Sequence, residues 1–251
     1  MFKYFFKSEI GNVREKNEDS IAIFEKENCI FAILCDGMGG HKFGEIASNT
    51  VVNLMGQNFI NNFIPTSTLR IKQFIQNSVV EAKNELKKLA KHNFKMTDMG
   101  TTLVGCLIIP KQQKIFVFNV GDSRCYFFLR SNKLIKITSD QNLAQKWDAT
   151  GFDYLNTENE KYARFLTSAI GPNLETTIDI TEIKKTMFDM TKKIILTSDG
   201  VHEFVSHIDL EAIISQNKDL KKTVNKIIKK ALLQESNDNI SVALIEVNNE
   251  K

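Results

Sequence analysis

Prolines, histidines and tryptophans are rare in this chain of 251 residues: three, four and one respectively. So few prolines, with no glycine–serine tract and no internal repeat, leave nothing that reads as an inter-domain linker, a solenoid unit or a low-complexity tail. Cysteine is sparse as well. Cys29, Cys35, Cys106 and Cys125 show neither CxxC nor CxxxH spacing, and each lies in an apolar stretch. That excludes a zinc module and a disulfide framework, and it reads as four reduced core thiols. No apolar run approaches the ~18 residues of a membrane span. The opening MFKYFF is too short for a signal-peptide core and is broken by Lys3 and Lys7. Excess charge of one sign is also missing, since the formal net charge is +3, which excludes a strong field for nucleic acid. The densest lysine cluster, KDLKKTVNKIIKK (218–230), falls at helical spacing and reads as the solvated face of an amphipathic helix. These absences describe a cytoplasmic protein with neither nucleic acid nor membrane as a partner, and a monomer is expected.

What is present is apolar material in short runs. The hydrophobic share of 42% is enough to build one substantial core at this length, so a single domain over residues 1–251 is expected. Strand-like runs fall at 21–24, 29–35, 102–109, 114–120, 125–130, 133–138, 193–198 and 240–247. Helical patterns cover 44–63 and 68–92 between the second and third strands, and two more, near 208–216 and 219–233, precede the last strand. PKQQK and RSNK read as hairpin connections. Paired helices and a consecutive block of strands predict an α+β architecture with helices layered on β-sheet. Residues 140–172 are mixed and polar, and read as a short helix and a loop.

Acidic residues recur at the ends of these runs. CIFAILC ends in Asp36-Gly37, KIILTS ends in Asp199-Gly200, and Asp238-Asn239 stands directly before ISVALIEV. Upstream, NVREKNEDS places Glu18 and Asp19 before a strand, with Arg14 nearby. Any one Asp-Gly pair is an ordinary turn. Several such carboxylates at strand ends, without histidine or cysteine company, suit a hard divalent cation, Mg²⁺ or Mn²⁺. Two such ions ~4 Å apart can activate a bridging water and stabilise phosphoryl oxygens, and an arginine can grip a phosphate through paired hydrogen bonds. The glycine-rich GMGGHKFG after Asp36 matches neither GxGxxG nor GxxxxGK[ST], so a nucleotide cradle is the weaker reading. His41, close to Asp36, is placed as a general acid for a leaving alkoxide.

The blocks REKNEDS, CDGMGGHKFGEIAS, MGTTL, NVGDSR, LTSAIGPN, LTSDG and SNDNISV stand in the order and spacing of the metal-dependent serine/threonine protein phosphatases of the PP2C (PPM) family. The chain resembles the bacterial type of that family from residue 8 to residue 247. The resemblance implies a central β-sandwich of two antiparallel sheets flanked by helix pairs, with a binuclear Mn²⁺ or Mg²⁺ centre. It implies that Asp36 bridges the two ions and that the Gly37 carbonyl binds one. Glu18, Asp199 and Asp238 would complete the shells, and Asp19 would orient a bound water. Arg14 would hold the substrate phosphate, Asn239 would support the metal site, and His41 matches the general acid proposed for bacterial members. The reaction implied is hydrolysis of phosphoserine and phosphothreonine on proteins by in-line attack of a metal-bridging water, in opposition to a serine/threonine kinase. Asp98, before MGTT, is the candidate ligand of a third, weaker ion.

Other positions carry structural expectations or departures. Thr101 and Thr102 read as strand entry, and Asp122 as a turn residue paired with Arg124 or capping backbone amides. The segment 140–172 corresponds to the flap beside the active site in bacterial members. It has Gln141 where a histidine is common, and it lacks the usual His-Pro before Arg164. Trp147, in that segment, reads as a packing residue. His202 stands near Asp199, where it could perturb a third ion. A partner-binding pseudoenzyme would have lost a metal carboxylate, and this chain keeps Glu18, Asp36, Asp199 and Asp238. A small phosphorylated metabolite stays open as the alternative substrate.

Overall fold

The computed structural model describes residues 2–39 and 43–247. Two glutamate–asparagine positions set the first feature of the fold. Glu27 and Asn28 both adopt positive φ, 49° and 61°, the conformation that a tight hairpin turn requires. They join β2 (Asp19–Lys26) to β3 (Cys29–Met38), with Asp19 opposite Asp36 in register. β3 then pairs with β5 (Leu103–Ile109), β5 with β6 (Lys114–Val120), and β6 with β9 (Asp179–Ile183). The short β4 (Gly100–Thr101) pairs with the far end of β3 and completes a six-stranded sheet.

A second, five-stranded sheet runs in the order β1 (Tyr4–Glu9), β11 (Ile240–Glu246), β10 (Thr191–Thr197), β7 (Arg124–Leu129), β8 (Leu134–Lys136). Every pairing in both sheets is antiparallel. The sheets face each other, and each carries a helix pair on its outer side. α1 (Gly44–Asn62) and α2 (Thr68–His92) cover the first; α6 (His207–Gln216) and α7 (Leu220–Leu233) cover the second. Three shorter helices are α3 (Leu143–Thr150), α4 (Lys185–Met190) and α5 (Asp199–His202).

This layering explains why the central strands read as unbroken apolar runs. In β3, Cys29, Phe31, Ile33 and Cys35 face the helices, while Ile30, Ala32 and Leu34 face the opposite sheet. A strand covered on both faces has no polar alternation to show. The helix-side layer centres on aromatic rings: Phe31 stacks on Phe59 at 5.0 Å and on Phe118 at 5.4 Å, and Phe59 stacks on Phe63 at 5.1 Å. The four cysteines are free and buried, as expected. α7 buries Thr223, Val224, Ile227, Ile228 and Ala231, so its lysines form the solvated face. No helix among the described residues is long and apolar enough to cross a membrane.

Departures from the sequence expectation fall mainly at sheet edges. β1 and β9 are edge strands with half-exposed, mixed side chains, which carry no periodic signal. The run expected at 133–138 shortens to three paired residues in β8. β3 does not stop at Asp36 but continues to Met38, because β4 supplies a partner for Gly37 and Met38. Phe59 lies in the middle of the ring stack and is fully buried. Phe59→Ala is expected to cost about 3–5 kcal/mol of unfolding free energy, the usual range for emptying an aromatic core site, measured by urea titration at constant m-value.

Candidate active site

The acidic strand ends converge although they belong to two sheets, β3 to the six-stranded one and β10 and β11 to the five-stranded one. Arg14, Glu18, Asp36, Gly37, Asp199 and Asp238 line one open cavity of ≈ 220 Å³ at one end of the sandwich. Met38, Gly39, Thr102, Asp122, Arg164 and Leu166 complete its wall. Asp36 sits at the end of β3, where its backbone N–H donates to Thr102 Oγ1 at 3.0 Å and its carbonyl accepts from Thr102 N at 2.8 Å and Thr101 Oγ1 at 2.8 Å. Those threonines therefore clamp the strand end that carries Asp36. Gly37 follows with no room for a side chain: a Cβ there would collide with the carbonyl oxygens of Gly44 and Glu18. The start of α1 is thus pressed against the strand end, and only glycine on both sides permits it.

Asn239 is the brace of the upstream loop. Its Oδ1 accepts from Glu18 N at 2.8 Å, and its Nδ2 donates to Ile10 O at 2.9 Å and Lys16 O at 2.8 Å. One side chain at the entry to β11 therefore holds the loop that presents Arg14 and Glu18. Arg14 Nη2 donates to Asp238 Oδ2 at 2.5 Å across the cavity. Asp19 does not line the wall. It lies behind it, buried, and accepts from Ser198 Oγ at 2.9 Å.

Electrostatically the cluster is unbalanced. Burial pushes Asp36 well above the usual carboxylate range, and Asp19, Asp199, Asp238 and Asp122 push it further. Burial takes Asp19 up to about 7; hydrogen bonds from Ser241 and Ser198 restrain the rise, while Asp199 and Asp238 add to it. Burial and Asp238 raise Asp199. Glu18 is raised by burial, against the pull of Arg14. Among the described residues, the buried side-chain nitrogen or oxygen atoms without a hydrogen-bond partner are Asp19 Oδ1 and Asp199 Oδ1. Orphaned oxygens among mutually repelling carboxylates are what a hard divalent cation neutralises. No group of three carboxylate, histidine or cysteine side chains forms a ready-made cage among the described residues. A cation here would complete its shell with the Gly37 carbonyl and water, so the donor set fits Mn²⁺ or Mg²⁺ as a water-rich site.

Three expectations need correction. Asp98 is exposed and does not line the cavity; the further aspartate there is Asp122. Asp122 does not pair with Arg124, because Arg124 forks onto Asp140, with Nη2 to Oδ2 at 2.6 Å and Nε to Oδ1 at 3.1 Å. Asp122 is instead pushed up to about 7, first by burial and then by Asp199 and Asp140. His202 turns from the cavity to Thr197, with Nδ1 3.0 Å from Thr197 Oγ1, and burial holds its imidazole well below its ordinary range. His41 lies outside the described residues. Sequence reading also missed Arg164, which reaches from the flap to Glu203 at 2.5 Å, and Glu203 itself, pushed up to about 7 by burial and Asp199. Local sequence holds no signal for Arg164, since flap and core meet only in three dimensions. Trp147 packs on Tyr154 and Phe152 at 5.1 and 5.5 Å, the packing role expected of it.

The fold and its acidic cavity define a bacterial-type phosphatase. The chain superposes on the serine/threonine phosphatase Stp1 from Staphylococcus aureus with a TM-score of 0.87, at 26% identity, over 99% of this chain and 96% of that one. It is 29% identical over 245 residues to the serine/threonine phosphatase stp of Listeria welshimeri, covering 97% of this chain and 95% of the relative. A second similar structure is the catalytic domain of PstP in complex with two manganese ions, at 24% identity, a TM-score of 0.79, and coverage of 98% and 97%. The protein phosphatase 2C family model matches residues 12–239, and the chain belongs to that family of enzymes.

A carboxyl whose pKa in the fold lies above its unfolded value favours folding only while protonated. That contribution is complete below about pH 4 and is lost as pH rises through about 7. For metal-free protein, Asp122→Asn is therefore expected to be more stable than wild type at pH 8, by on the order of 1–4 kcal/mol, and equal to it near pH 4. Urea unfolding of both proteins in chelator at the two pH values measures this, and a difference independent of pH would refute the burial of Asp122 against Asp199.

Proposed function

We propose that this chain is a single-domain, metal-dependent phosphatase that hydrolyses phosphoserine and phosphothreonine on other proteins, and so opposes a serine/threonine kinase. The observation that carries the reading is the pair of buried, partnerless oxygens, Asp19 Oδ1 and Asp199 Oδ1, within a cluster whose carboxylates raise one another's pKa. Family membership supports the hydrolase class, and the two manganese ions of the PstP structure support the choice of metal.

In this reading Asp36, Asp199, Asp238 and Glu18 would hold two ions together with the Gly37 carbonyl, and Asp19, behind the wall, would orient a water. Bound there, Mn²⁺ or Mg²⁺ would supply Lewis-acid polarisation of the phosphoryl oxygens and a water acidified for attack. Arg14 contributes a guanidinium at the cavity wall whose planar fork matches two phosphoryl oxygens. Asn239 keeps Arg14 and Glu18 in place through the loop it braces. His41 is the proposed proton donor to the departing alkoxide. Asp199 and Asp122, which both line the cavity, are the residues that would hold a third, weaker ion, in place of Asp98. The cavity is open at the surface, which suits a phosphorylated loop of a protein substrate.

Hydrolysis of p-nitrophenyl phosphate and of a phosphothreonine peptide, with and without Mn²⁺, tests this. Turnover is expected only with metal. Asp36→Asn, shown to be folded, is expected to lose roughly 100-fold or more in kcat, and Arg14→Ala about 10- to 100-fold in kcat/KM, the scale of a lost charge-assisted contact to phosphate. A folded wild-type protein that turns over neither substrate in Mn²⁺ would refute the enzyme reading.

A further inference from the structure

The flap is an excursion of the chain closed at its neck. Asn142 and Leu166 form an isolated antiparallel bridge there, and Thr167 N donates to Gln141 O at 2.8 Å. Gln141 is the last residue before the excursion, and its hydrogen bonds run in four directions. Its own N–H donates to Gly121 O at 3.0 Å, and its Oε1 accepts from Gly121 N at 2.8 Å. Its Nε2 donates to Asp179 Oδ2 at 2.8 Å on β9, and its carbonyl takes Thr167 N. One residue thus satisfies both backbone groups of Gly121, as a neighbouring strand would, while fastening both sides of the flap neck.

Gly121 is a demanding position to hold. Its φ is +94°, and a Cβ there would meet Thr102 at 2.8 Å, so this turn lies hard against Thr102. The next residue is Asp122, whose carboxyl enters the cavity. The residue after that, Ser123, shares a hydrogen bond of 2.7 Å with Thr102 Oγ1. Thr102 Oγ1 in turn accepts the backbone N–H of Asp36 at 3.0 Å. A continuous set of contacts therefore runs from the flap neck through Gly121 to Asp122, and through Ser123 and Thr102 to Asp36.

We infer that Gln141 is a positioning residue: by clamping Gly121 it sets the placement of the Asp122 and Asp36 carboxylates, and it ties that placement to the flap neck. The inference rests on the phosphatase reading of the cavity. An alanine at this position leaves Gly121 N–H without its acceptor and holds the turn only through the backbone bond to Gly121 O. Histidine can reproduce both side-chain contacts, with one ring nitrogen accepting from Gly121 and the other donating to Asp179, but only while the ring is neutral. The carboxylates facing that ring would be Asp179 directly and Asp122 and Asp140 nearby.

The test uses the full chain and two readouts, Mn²⁺ affinity by isothermal titration calorimetry and steady-state turnover of p-nitrophenyl phosphate. Gln141→Ala is expected to weaken Mn²⁺ binding and lower kcat, each about tenfold or more, the scale of losing a residue that orients metal ligands, with a smaller change in KM. Gln141→His is expected to match wild type above about pH 8. Its ratio to wild type in both readouts should then fall as the imidazole protonates, near or somewhat above pH 6.5. A Gln141→Ala protein that binds Mn²⁺ and turns over like wild type would overturn the inference. So would a His variant whose ratio to wild type is flat with pH. Circular dichroism and thermal melting check each variant's fold, and the His series stands by itself if the alanine variant does not fold. Absence of metal-dependent turnover in wild type would instead refute the phosphatase reading beneath it.

Discussion

The facing of Asp19 and Asp36 across the first hairpin is the constraint on which the site depends. Antiparallel register puts them directly opposite one another at the end of the β2–β3 pair. Asp19 is buried and Asp36 half-buried, and Asp199, Asp238 and Asp122 are near enough to raise the pKa of one or both. Like charges removed from water destabilise the state that holds them, and the group either takes up a proton or recruits a cation. The fold can tolerate this only because the strands that carry the carboxylates cannot shift. The first residues of β3, Cys29 to Cys35, are fully packed between helices and a second sheet.

Rigidity at the strand ends comes from hydrogen bonds made by neutral side chains. Thr101 and Thr102 hold the backbone of Asp36, Ser198 holds Asp19, Ser48 Oγ donates to Glu18 O at 2.6 Å, and Asn239 holds the loop around Arg14. None of these groups adds charge. Hydroxyls and amides fix the acidic groups without neutralising them, so the negative field of the cavity remains available to a cation and to Arg14. The flap joins this scaffold at its neck through Gln141 and reaches across it through Arg164 and Glu203.

Much of this was legible beforehand because its signals are local. Asp36-Gly37, Asp199-Gly200 and Asp238-Asn239 each sit beside a long apolar run, and buried strands announce themselves by continuous hydrophobicity. The space left by the glycine after Asp36 is filled by Gly44. Of the two roles read for Asp122, pairing with Arg124 is the one the structure overturns: GDSR offers Arg124 as a near and obvious partner. The chain separates the two: Arg124 starts β7 and forks onto Asp140, leaving Asp122 to the cavity. Asp98 was misplaced for the converse reason, since proximity to MGTT in sequence does not carry its side chain past the exposed turn. Edge strands β1 and β9 gave no pattern because only half of each is covered.

By itself the sequence determined the class of architecture, the acidic residues at the strand ends and the membership they imply, because strand burial and strand-end chemistry are written within a few residues of each other. The tertiary structure alone decided which carboxylates share one cavity, that Asp122 joins them and Asp98 does not, and that Gln141 takes both backbone groups of Gly121. Those are contacts between segments far apart along the chain. Their geometry is set by how two sheets and a flap pack, and no local pattern encodes it.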